Sequence, residues 1–281
     1  MEIMKGCLSC LLRQAEEAAK RVNADPHTKE KIIGGAKEIL SRFDEYENAP
    51  HLAEAIHNCV KNHTGNTDPY KAQKTADLEA AKSLIPTLKA FIDNSGNKLY
   101  ASLKVSAVGN NLDSAVYENM DIKSCIDKEL NSPFAICDEE LLREKLTSAK
   151  SVLIIGDNAG ETVFDKVFIE SLPHNISFTY AVRSAPIIND ATLLEAETAE
   201  LNKIATVIPS GSTAPGSLLQ NTSKEFKEAL GSSDIVISKG QGNFESLSEV
   251  KGIFFLLKAK CPVIAERFRA DTGSYIFKYN S

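Results

Sequence analysis

The sequence predicts an α/β fold, in which a helical N-terminal domain precedes a doubly wound, mostly parallel sheet. In the first part of the chain, apolar residues recur every three or four positions, as at Cys7, Leu11, Ala15 and Ala18. This spacing is the period of an amphipathic helix. From Ser151 onward, short apolar runs alternate with amphipathic segments, which is typical of strands buried on both faces of a parallel sheet.

The predicted helical domain covers residues 1–95. Segments rich in Asn, Gly, Pro and Asp interrupt it, namely NADPHT, ENAP and NHTGNTDPY, and these breaks indicate four or five helices. A stretch punctuated by Gly and Asn, residues 94–118, then connects it to the second domain. We therefore predict a helical domain at 1–95 and an α/β domain at 96–281.

Five segments of the second domain are predicted as strands: SVLIIG, ISFTYAV, KIATVIP, DIVISKG and CPVIAE. Four intervening segments are predicted as helices or loop–helix units: ETVFDKVFIESL, INDATLLEAETAE, PGSLLQNTSKEFKEAL and SEVKGIFFLLKAK. Strands joined by short crossovers of this kind imply an open, doubly wound sheet.

Composition and charge limit the classes of function. Hydrophobic residues make up 43% of the 281 residues and charged residues 25%, as in an ordinary globular protein. The net charge of -6 disfavours nucleic acids and acidic membrane surfaces as partners. The N-terminus lacks the apolar core of a signal peptide, and no apolar stretch reaches the roughly 20 residues that span a bilayer. We therefore expect a cytoplasmic protein with reduced cysteines and no membrane partner.

The loop after the first predicted strand, GDNAGE, carries the clearest chemical signal. It places Asp157 and Asn158 at the tip of the strand and Gly160 where the next helix begins. A carboxylate beside an amide oxygen suits a hard divalent cation, and the free N–H groups of a helix N-terminus suit a phosphate. The alternative is that Asp157 or Asn158 only caps that helix.

Two further loops are expected at the same edge of the sheet, because the carboxyl ends of parallel strands lie together. The second strand leads into Asn189 and Asp190, and Asp190 is predicted to complete an oxygen cage with Asp157 and Asn158. The fourth leads into Lys239 and Gly240, which suit a phosphate oxygen and the close approach of an anion. Helix capping and a tight turn with a solvated lysine are the respective alternatives.

Two other features are weaker. Asn110 and Asp113 lie in an irregular stretch and are predicted to line the cleft between the domains. Cys7 and Cys10 have the spacing of zinc or redox motifs, but the sequence has no second CxxC to complete a tetrahedral site. Structural burial, an accessory metal site and redox chemistry are the three interpretations of this pair.

Seven motifs in this order, CLSC, DPYKAQK, VGNNLDSA, GDNAGETVFD, NDAT, SKGQGNFE and KAKCPVIA, resemble those of the damage-control phosphatase family, formerly a domain of unknown function numbered 89. The similarity spans essentially the whole chain and is greatest to the small archaeal and bacterial branch with an N-terminal CxxC. The resemblance implies a Rossmann-like α/β domain and a phosphatase that acts on sugar phosphates and other phosphorylated metabolites. It also implies a divalent metal, Mn²⁺, Ni²⁺, Co²⁺ or Mg²⁺, bound by Asp157, Asn158 and Asp190.

The predicted function is therefore metal-dependent hydrolysis of the phosphate ester of a small metabolite. Asp157, Asp190 and Lys239 are the predicted catalytic residues, with either metal-bound water or an aspartate as nucleophile. Predicted substrate-binding residues are Asn110, Asp113, Asn189, Gly240 and Glu161; predicted metal ligands are Asp157, Asn158 and Asp190, with Cys7 and Cys10 as an accessory site. A methyltransferase that uses S-adenosylmethionine and a non-catalytic metal-binding module are the alternatives. The sequence does not indicate an oligomeric state.

Overall fold

The structure, a computed structural model, describes residues 1–110 and 122–281. Within these ranges it contains α1 to α12: Lys5–Arg21, Pro26–Ser41, Ala49–Thr64, Lys71–Asp93, Lys98–Gly109, Ile122–Asn131, Glu139–Leu146, Glu161–Glu170, Leu193–Thr198, Lys224–Ser232, Gln241–Leu247 and Pro262–Phe268. It also contains β1 to β7: Phe134–Cys137, Ser151–Ile155, Ser177–Val182, Thr206–Pro209, Ile235–Lys239, Ile253–Lys258 and Tyr275–Asn280.

The seven strands form one sheet in the order β1-β7-β6-β5-β2-β3-β4. Neighbouring strands are parallel, except that β6 and β7 are antiparallel. The chain runs outward from β2 through β3 to β4, and then returns to β5 on the other side of β2. The strand order therefore reverses between β2 and β5, which is where open α/β sheets usually bind their ligands.

Both faces of the sheet are covered, as the unbroken apolar strands predict. In β2, Val152 and Ile154 face a core that includes residues of α4, α5 and α8. Leu153 and Ile155 point to the opposite face and pack in a second core with residues of α10 and α12, such as Phe226. The predicted α/β class and the largely parallel sheet are confirmed.

Helices α1, α2 and α3 pack around a separate core that includes Ala15, Ile32 and Ile56. Asp25 caps α2 by accepting hydrogen bonds from the backbone N–H groups of His27 and Thr28, as expected for an N-cap aspartate. Helices α4 and α5, in contrast, share their core with the sheet. The division into two domains at residue 95 stays a prediction. In the structure, the chain passes from the helical core to the core shared with the sheet between α3 and α4.

Two predicted element types were wrong. CPVIAE forms α12, because Pro262 at its start lacks a backbone N–H and is favoured in the first turn of a helix. The segment SEVKGIFFLLKAK contains β6, because its apolar run has the length of a buried strand. Strands β1 and β7 were not predicted: β1 has only four residues, and the alternation in β7 is incomplete.

None of the helices in the two described ranges is both long and apolar enough to cross a lipid bilayer.

Candidate active site

A cavity of about 600 Å³ lies at the carboxyl edge of the sheet, beside the point where the strand order reverses. Its floor comes from the loops that follow β2, β3 and β6 and from the first turns of α11. Helices α1 and α3 form the opposite wall, with Leu11 and Pro50 among the apolar residues that face the cavity. The cavity therefore lies between the helical region and the sheet, is open to solvent on one side, and has the size of a small-molecule site.

The predicted metal ligands Asp157, Asn158 and Asp190 lie together in this cavity. Backbone pairing holds the two loops that carry them, since Asn158 and Asp190 form an isolated antiparallel bridge. The N–H of Ala191 donates to the carbonyl of Asp157 at 2.7 Å, and the N–H of Ala159 donates to the carbonyl of Asn189 at 2.8 Å. Backbone hydrogen bonds alone therefore hold the two loops next to each other, independently of side-chain contacts.

Asparagine side chains surround the Asp157 carboxylate. Nδ2 of Asn110 donates to Oδ2 of Asp157 at 2.8 Å and to Oε2 of Glu161 at 3.0 Å. Nδ2 of Asn158 also donates to both carboxylates, at 3.2 and 3.3 Å. Asn110 is therefore buried beside the predicted metal ligands, where it binds the protein's own carboxylates and does not line the cavity; its predicted contact with the substrate stays a prediction, and Asp113 lies outside the described residues.

Negative charge is concentrated here. Burial, together with the nearby charges of Asp190 and Glu161, raises the pKa of Asp157 to about 7, while Arg183 and Lys260 act in the opposite direction. Burial also raises the pKa of Asp190, against the lowering effect of Arg183. A bound divalent cation would relieve this crowding of buried carboxylates.

Arg183, which the sequence analysis did not select, organises the acidic groups. Its Nε donates to Oδ2 of Asp190 at 2.7 Å, and its Nη2 lies 3.8 Å from Oδ1 of Asp157. Oδ1 of Asn243 accepts a hydrogen bond from Arg183 Nη1 at 3.1 Å. The sequence signal for Arg183 was its position directly after an apolar strand, in the loop that also contains NDAT. An arginine at such a buried position requires a carboxylate partner, and Asp190 is the nearby candidate.

Lys239 does not reach the cavity, so its position does not fit the predicted contact with a substrate phosphate. Its side chain is fully buried beneath the site, where Nζ donates to Glu161, to Oδ1 of Asp165 at 2.6 Å and to the carbonyl of Ser106 at 3.2 Å. As the last residue of a central strand it points into the layer between the sheet and α5. Its contact is with Glu161, which in turn accepts hydrogen bonds from Asn110 and Asn158.

Glu161 is fully buried and likewise lies beneath the site rather than on the cavity wall. Asn189 does line the cavity, next to Asp190. Gly240 has a φ of +80°, and a Cβ added to it would lie 1.9 Å from Oδ2 of Asp157. The glycine therefore permits the close approach of a carboxylate of the protein itself, whereas the sequence predicted the approach of a substrate anion.

Lys260, at the loop between β6 and α12, is a second residue that the sequence analysis missed. It lines the cavity, and its positive charge lowers the pKa values of both Asp157 and Asp190. The KAKCPVIA segment was assigned to a helix and a strand, so its lysine was not placed in a loop at the carboxyl edge. Lys260 is therefore a cation on the wall of the cavity, close enough to both carboxylates to lower their pKa values.

The donor set fits a hard divalent cation. Within residues 1–110 and 122–281, no three His, Cys, Asp or Glu side chains are grouped as a metal site. The site instead offers the carboxylates of Asp157 and Asp190 and the amide of Asn158. Mg²⁺ and Mn²⁺ are commonly bound by one or two carboxylates together with water and substrate oxygens. Cys7 and Cys10 line the same cavity from α1, and their accessory metal site stays a prediction.

The fold and the site define a class of protein: an α/β protein in which an acidic group of oxygen ligands lines a cavity where the order of its parallel strands reverses. The model of the damage-control phosphatase ARMT1-like domain matches residues 3–276. The chain belongs to this family, which confirms the resemblance drawn from the ordered motifs.

Similar proteins extend over the full chain. A damage-control phosphatase of Pyrococcus horikoshii is 33% identical over 100% of this chain and 99% of its own length. A damage-control phosphatase of Archaeoglobus fulgidus is 32% identical over 99% of both chains. The crystal structure of a DUF89 family protein from Pyrococcus horikoshii matches with a TM-score of 0.91 and 30% identity, covering 100% of both chains.

Proposed function

We propose that the chain is a divalent-metal-dependent phosphatase that hydrolyses phosphate monoesters of small metabolites such as sugar phosphates. The observation that carries this proposal is the pairing of the buried carboxylates Asp157 and Asp190 with the Asn158 amide on the wall of a ligand-sized cavity. Lys260 adds a positive charge to the same wall. Membership of the damage-control phosphatase family supports hydrolysis over methyl transfer and over a non-catalytic metal-binding role.

Asp157, Asn158 and Asp190 would hold the metal. When bound, a divalent cation supplies charge neutralisation at the phosphoryl oxygens and lowers the pKa of a coordinated water; Mn²⁺, Ni²⁺, Co²⁺ and Mg²⁺ are the proposed ions. Lys260 binds a remaining phosphate oxygen and so orients the ester.

The acidic residues also handle the proton. The pKa of Asp157 is raised to about 7, because the carboxylate is buried and lies near Asp190 and Glu161. This value applies to the metal-free site; the proposed role of Asp157 as general base rests on its position beside the water that a bound metal would activate. The nucleophile is either the activated water or an aspartate, and Asp190, held by Arg183, is positioned for the second of these roles.

The chemistry of the substrate follows from the walls of the cavity. A volume of about 600 Å³ suits a small metabolite but not a folded macromolecule. Asn189 and Gln14 can form hydrogen bonds with the hydroxyl groups of a substrate. Leu11 and Pro50 provide apolar surface for its less polar face. A phosphorylated sugar combines these two properties.

The test is phosphate release from a panel of sugar phosphates and p-nitrophenyl phosphate, after chelation and re-addition of Mn²⁺, Ni²⁺, Co²⁺ or Mg²⁺. We expect metal-dependent release by the wild type and at least a roughly 100-fold lower rate for Asp157→Ala, which loses a ligand and the proposed base. Asp271→Ala, at an exposed position that does not line the cavity, is the matched control and is expected to keep the wild-type rate. Folded wild-type protein that releases no phosphate with any of these metals would overturn the proposal.

A further inference from the structure

Three cysteines lie on the wall of the candidate cavity. Cys7 and Cys10 belong to the first turns of α1, and Cys261 lies at the start of α12. All three are free thiols; Cys10 is exposed, and Cys7 and Cys261 are partly buried. The proposed hydrolysis uses none of them, although Cys7 and Cys10 share the cavity with Asp157 and Asp190.

The helix brings Cys7 and Cys10 to a distance that suits a disulfide. Residues three positions apart on an α-helix have Cα atoms about 5 Å apart, from the rise and radius of the helix. Disulfides usually join Cα atoms roughly 4.4 to 6.8 Å apart. The Cβ atoms of such residues are about 5–6 Å apart and those of a disulfide about 3.5–4.5 Å, so bond formation requires a local adjustment of the first turns of α1.

The surroundings of the two thiols give them different roles. Cys10 is exposed, so a small oxidant reaches it first, and its Sγ accepts only a long contact of 3.8 Å from Gln14. Cys7 is partly buried, so the oxidant reaches it less easily than it reaches Cys10. Cys10 is thus placed to be oxidised, and Cys7 to attack the oxidised sulfur.

Cys261 is a less suitable partner. Its Sγ accepts a hydrogen bond from Nε2 of Gln241 at 3.4 Å, and the same Nε2 donates to Oε1 of Glu245 at 3.0 Å. This contact ties Cys261 to α11, whereas Cys7 and Cys10 share one helix. A bond from α1 to Cys261 would have to join two separate elements of the fold.

We propose that Cys7 and Cys10 form a redox-active pair, which hydrogen peroxide converts into a reversible disulfide on the wall of the catalytic cavity. The Cys10 thiolate attacks one peroxide oxygen; the O–O bond breaks, hydroxide leaves and a sulfenic acid forms. The Cys7 thiolate then attacks the Cys10 sulfur; the S–S bond forms, the S–O bond breaks and a second hydroxide leaves. In total, two thiols give two electrons and two protons to peroxide, and two water molecules result.

Formation of the bond has a consequence for the cavity, and this part rests on the proposed phosphatase function. The Cys7 and Cys10 side chains face the cavity together with Leu11 and Gln14 of the same helix. Drawing the two sulfurs together changes the wall opposite Asp157 and Asp190. We expect oxidation to lower the rate of phosphate release several-fold, and a dithiol reductant to restore it.

The site is tested on the full-length protein by peroxide oxidation, alkylation of the remaining thiols and peptide mass spectrometry. Trypsin cuts after Lys5 and Arg13 and so releases one peptide, GCLSCLLR, that holds both cysteines. We expect this peptide to lose two hydrogen atoms on oxidation and to regain them with dithiothreitol. Cys7→Ser and Cys10→Ser should prevent the change, whereas Cys59→Ser, on α3, should not.

The outcomes are separable. An unchanged peptide, a bond to Cys261 or a bond between two chains would overturn the redox pair. If the peptide is oxidised but the rate of phosphate release is unchanged, the effect on the cavity is wrong. If the fully reduced protein releases no phosphate with any metal, the proposed function fails, whereas the result for the peptide stands independently.

Discussion

At the residue scale, the backbone of Gly240 is in close contact with the Asp157 side chain, although the two residues follow different strands. The φ of +80° at Gly240 is strained for any residue with a side chain, and a Cβ there would lie 1.9 Å from the Asp157 carboxylate. A second glycine, Gly242, is equally restricted, because its Cβ would meet the carbonyl oxygen of Pro215 at 1.8 Å. The two glycines of the SKGQGNFE motif therefore serve the packing of the cavity floor.

Gly240→Ala should displace the Asp157 carboxylate. We expect nearly complete loss of metal-dependent phosphate release, and a free energy of unfolding lower by about 1–3 kcal/mol, because the new residue must adopt a positive φ. Phosphate assays and urea denaturation measure the two effects. Gly96→Ala is the control, since a Cβ at Gly96 meets nothing within 4 Å. Wild-type activity in Gly240→Ala would contradict the close contact with Asp157.

Arg183→Met should change the charge of the site without removing a metal ligand. Arg183 lowers the pKa of Asp190, against the raising effect of burial, and its loss leaves that carboxyl protonated at higher pH. We therefore expect weaker Mn²⁺ binding at pH 7, measured by calorimetry, with partial recovery at higher pH. Arg267→Met, at an exposed position, should bind Mn²⁺ as the wild type does. Equal affinity in both variants would refute this role for Arg183.

At the scale of the elements, a buried cluster of charged residues joins helix α4 to helix α9. Nζ of Lys74, on α4, lies 2.8 Å from Oδ2 of Asp68 and 2.9 Å from Oε1 of Glu195, on α9. Burial disfavours the ionised form of Glu195, but hydrogen bonds from Thr192 and the nearby charge of Lys74 outweigh it and lower the pKa of this carboxyl. The DPYKAQK motif thus contributes a structural contact between α4 and α9.

Lys74→Met should destabilise the fold by about 3 kcal/mol at neutral pH, because it leaves two carboxylates without their buried partner. A lowered pKa means that the contribution of Glu195 is complete above its ordinary value of 4.5 and is lost as the pH falls through the folded value. The difference between variant and wild type should therefore shrink in acid. Urea denaturation across pH measures it, and Lys82→Met, which removes an exposed pair with Glu79, should change stability by less than about 0.5 kcal/mol. A pH-independent difference would contradict the assignment to Glu195.

At the scale of the whole molecule, the site combines loops from both sides of the point where the strand order reverses. Folding brings Asp157, Asp190 and Glu161 together, and the resulting burial raises the pKa of Asp157 to about 7. A raised pKa means that Asp157 favours the metal-free fold at low pH and opposes it as the pH rises toward 7. The metal site is therefore assembled at a cost in stability, which metal binding offsets.

The affinity for Mn²⁺ should fall on acidification. The metal competes with the proton on Asp157, so we expect the association constant to drop about tenfold per pH unit below about 7. Calorimetry from pH 5.5 to 8 measures this, and the thermal stabilisation by Mn²⁺ should be greatest at the upper end of that range. Asp157→Asn should bind Mn²⁺ weakly at every pH. Wild-type affinity that does not depend on pH would show that Asp157 is not a titrating ligand.

Much of the fold and part of the site follow from local signals. Buried apolar runs predicted β2 to β5, and parallel strands place their carboxyl ends at one edge, so the meeting of Asp157, Asn158 and Asp190 was predictable. The assignments of β6 and α12 failed, because a short apolar run does not by itself distinguish a strand from a helix. Lys260 was missed for the same reason, since its loop was hidden within a misassigned helix.

The sequence by itself determined the alternation of helices and strands, the loops that carry oxygen ligands and the family to which the chain belongs. Tertiary structure decided which charges face the cavity and which are buried: Lys239 pairs with Glu161 and Asp165 beneath it, whereas Arg183 binds Asp190. It also placed Cys7 and Cys10 on the cavity wall. The physical reason is that chain periodicity reports which face of an element is buried, whereas partners distant in sequence meet only when the elements pack.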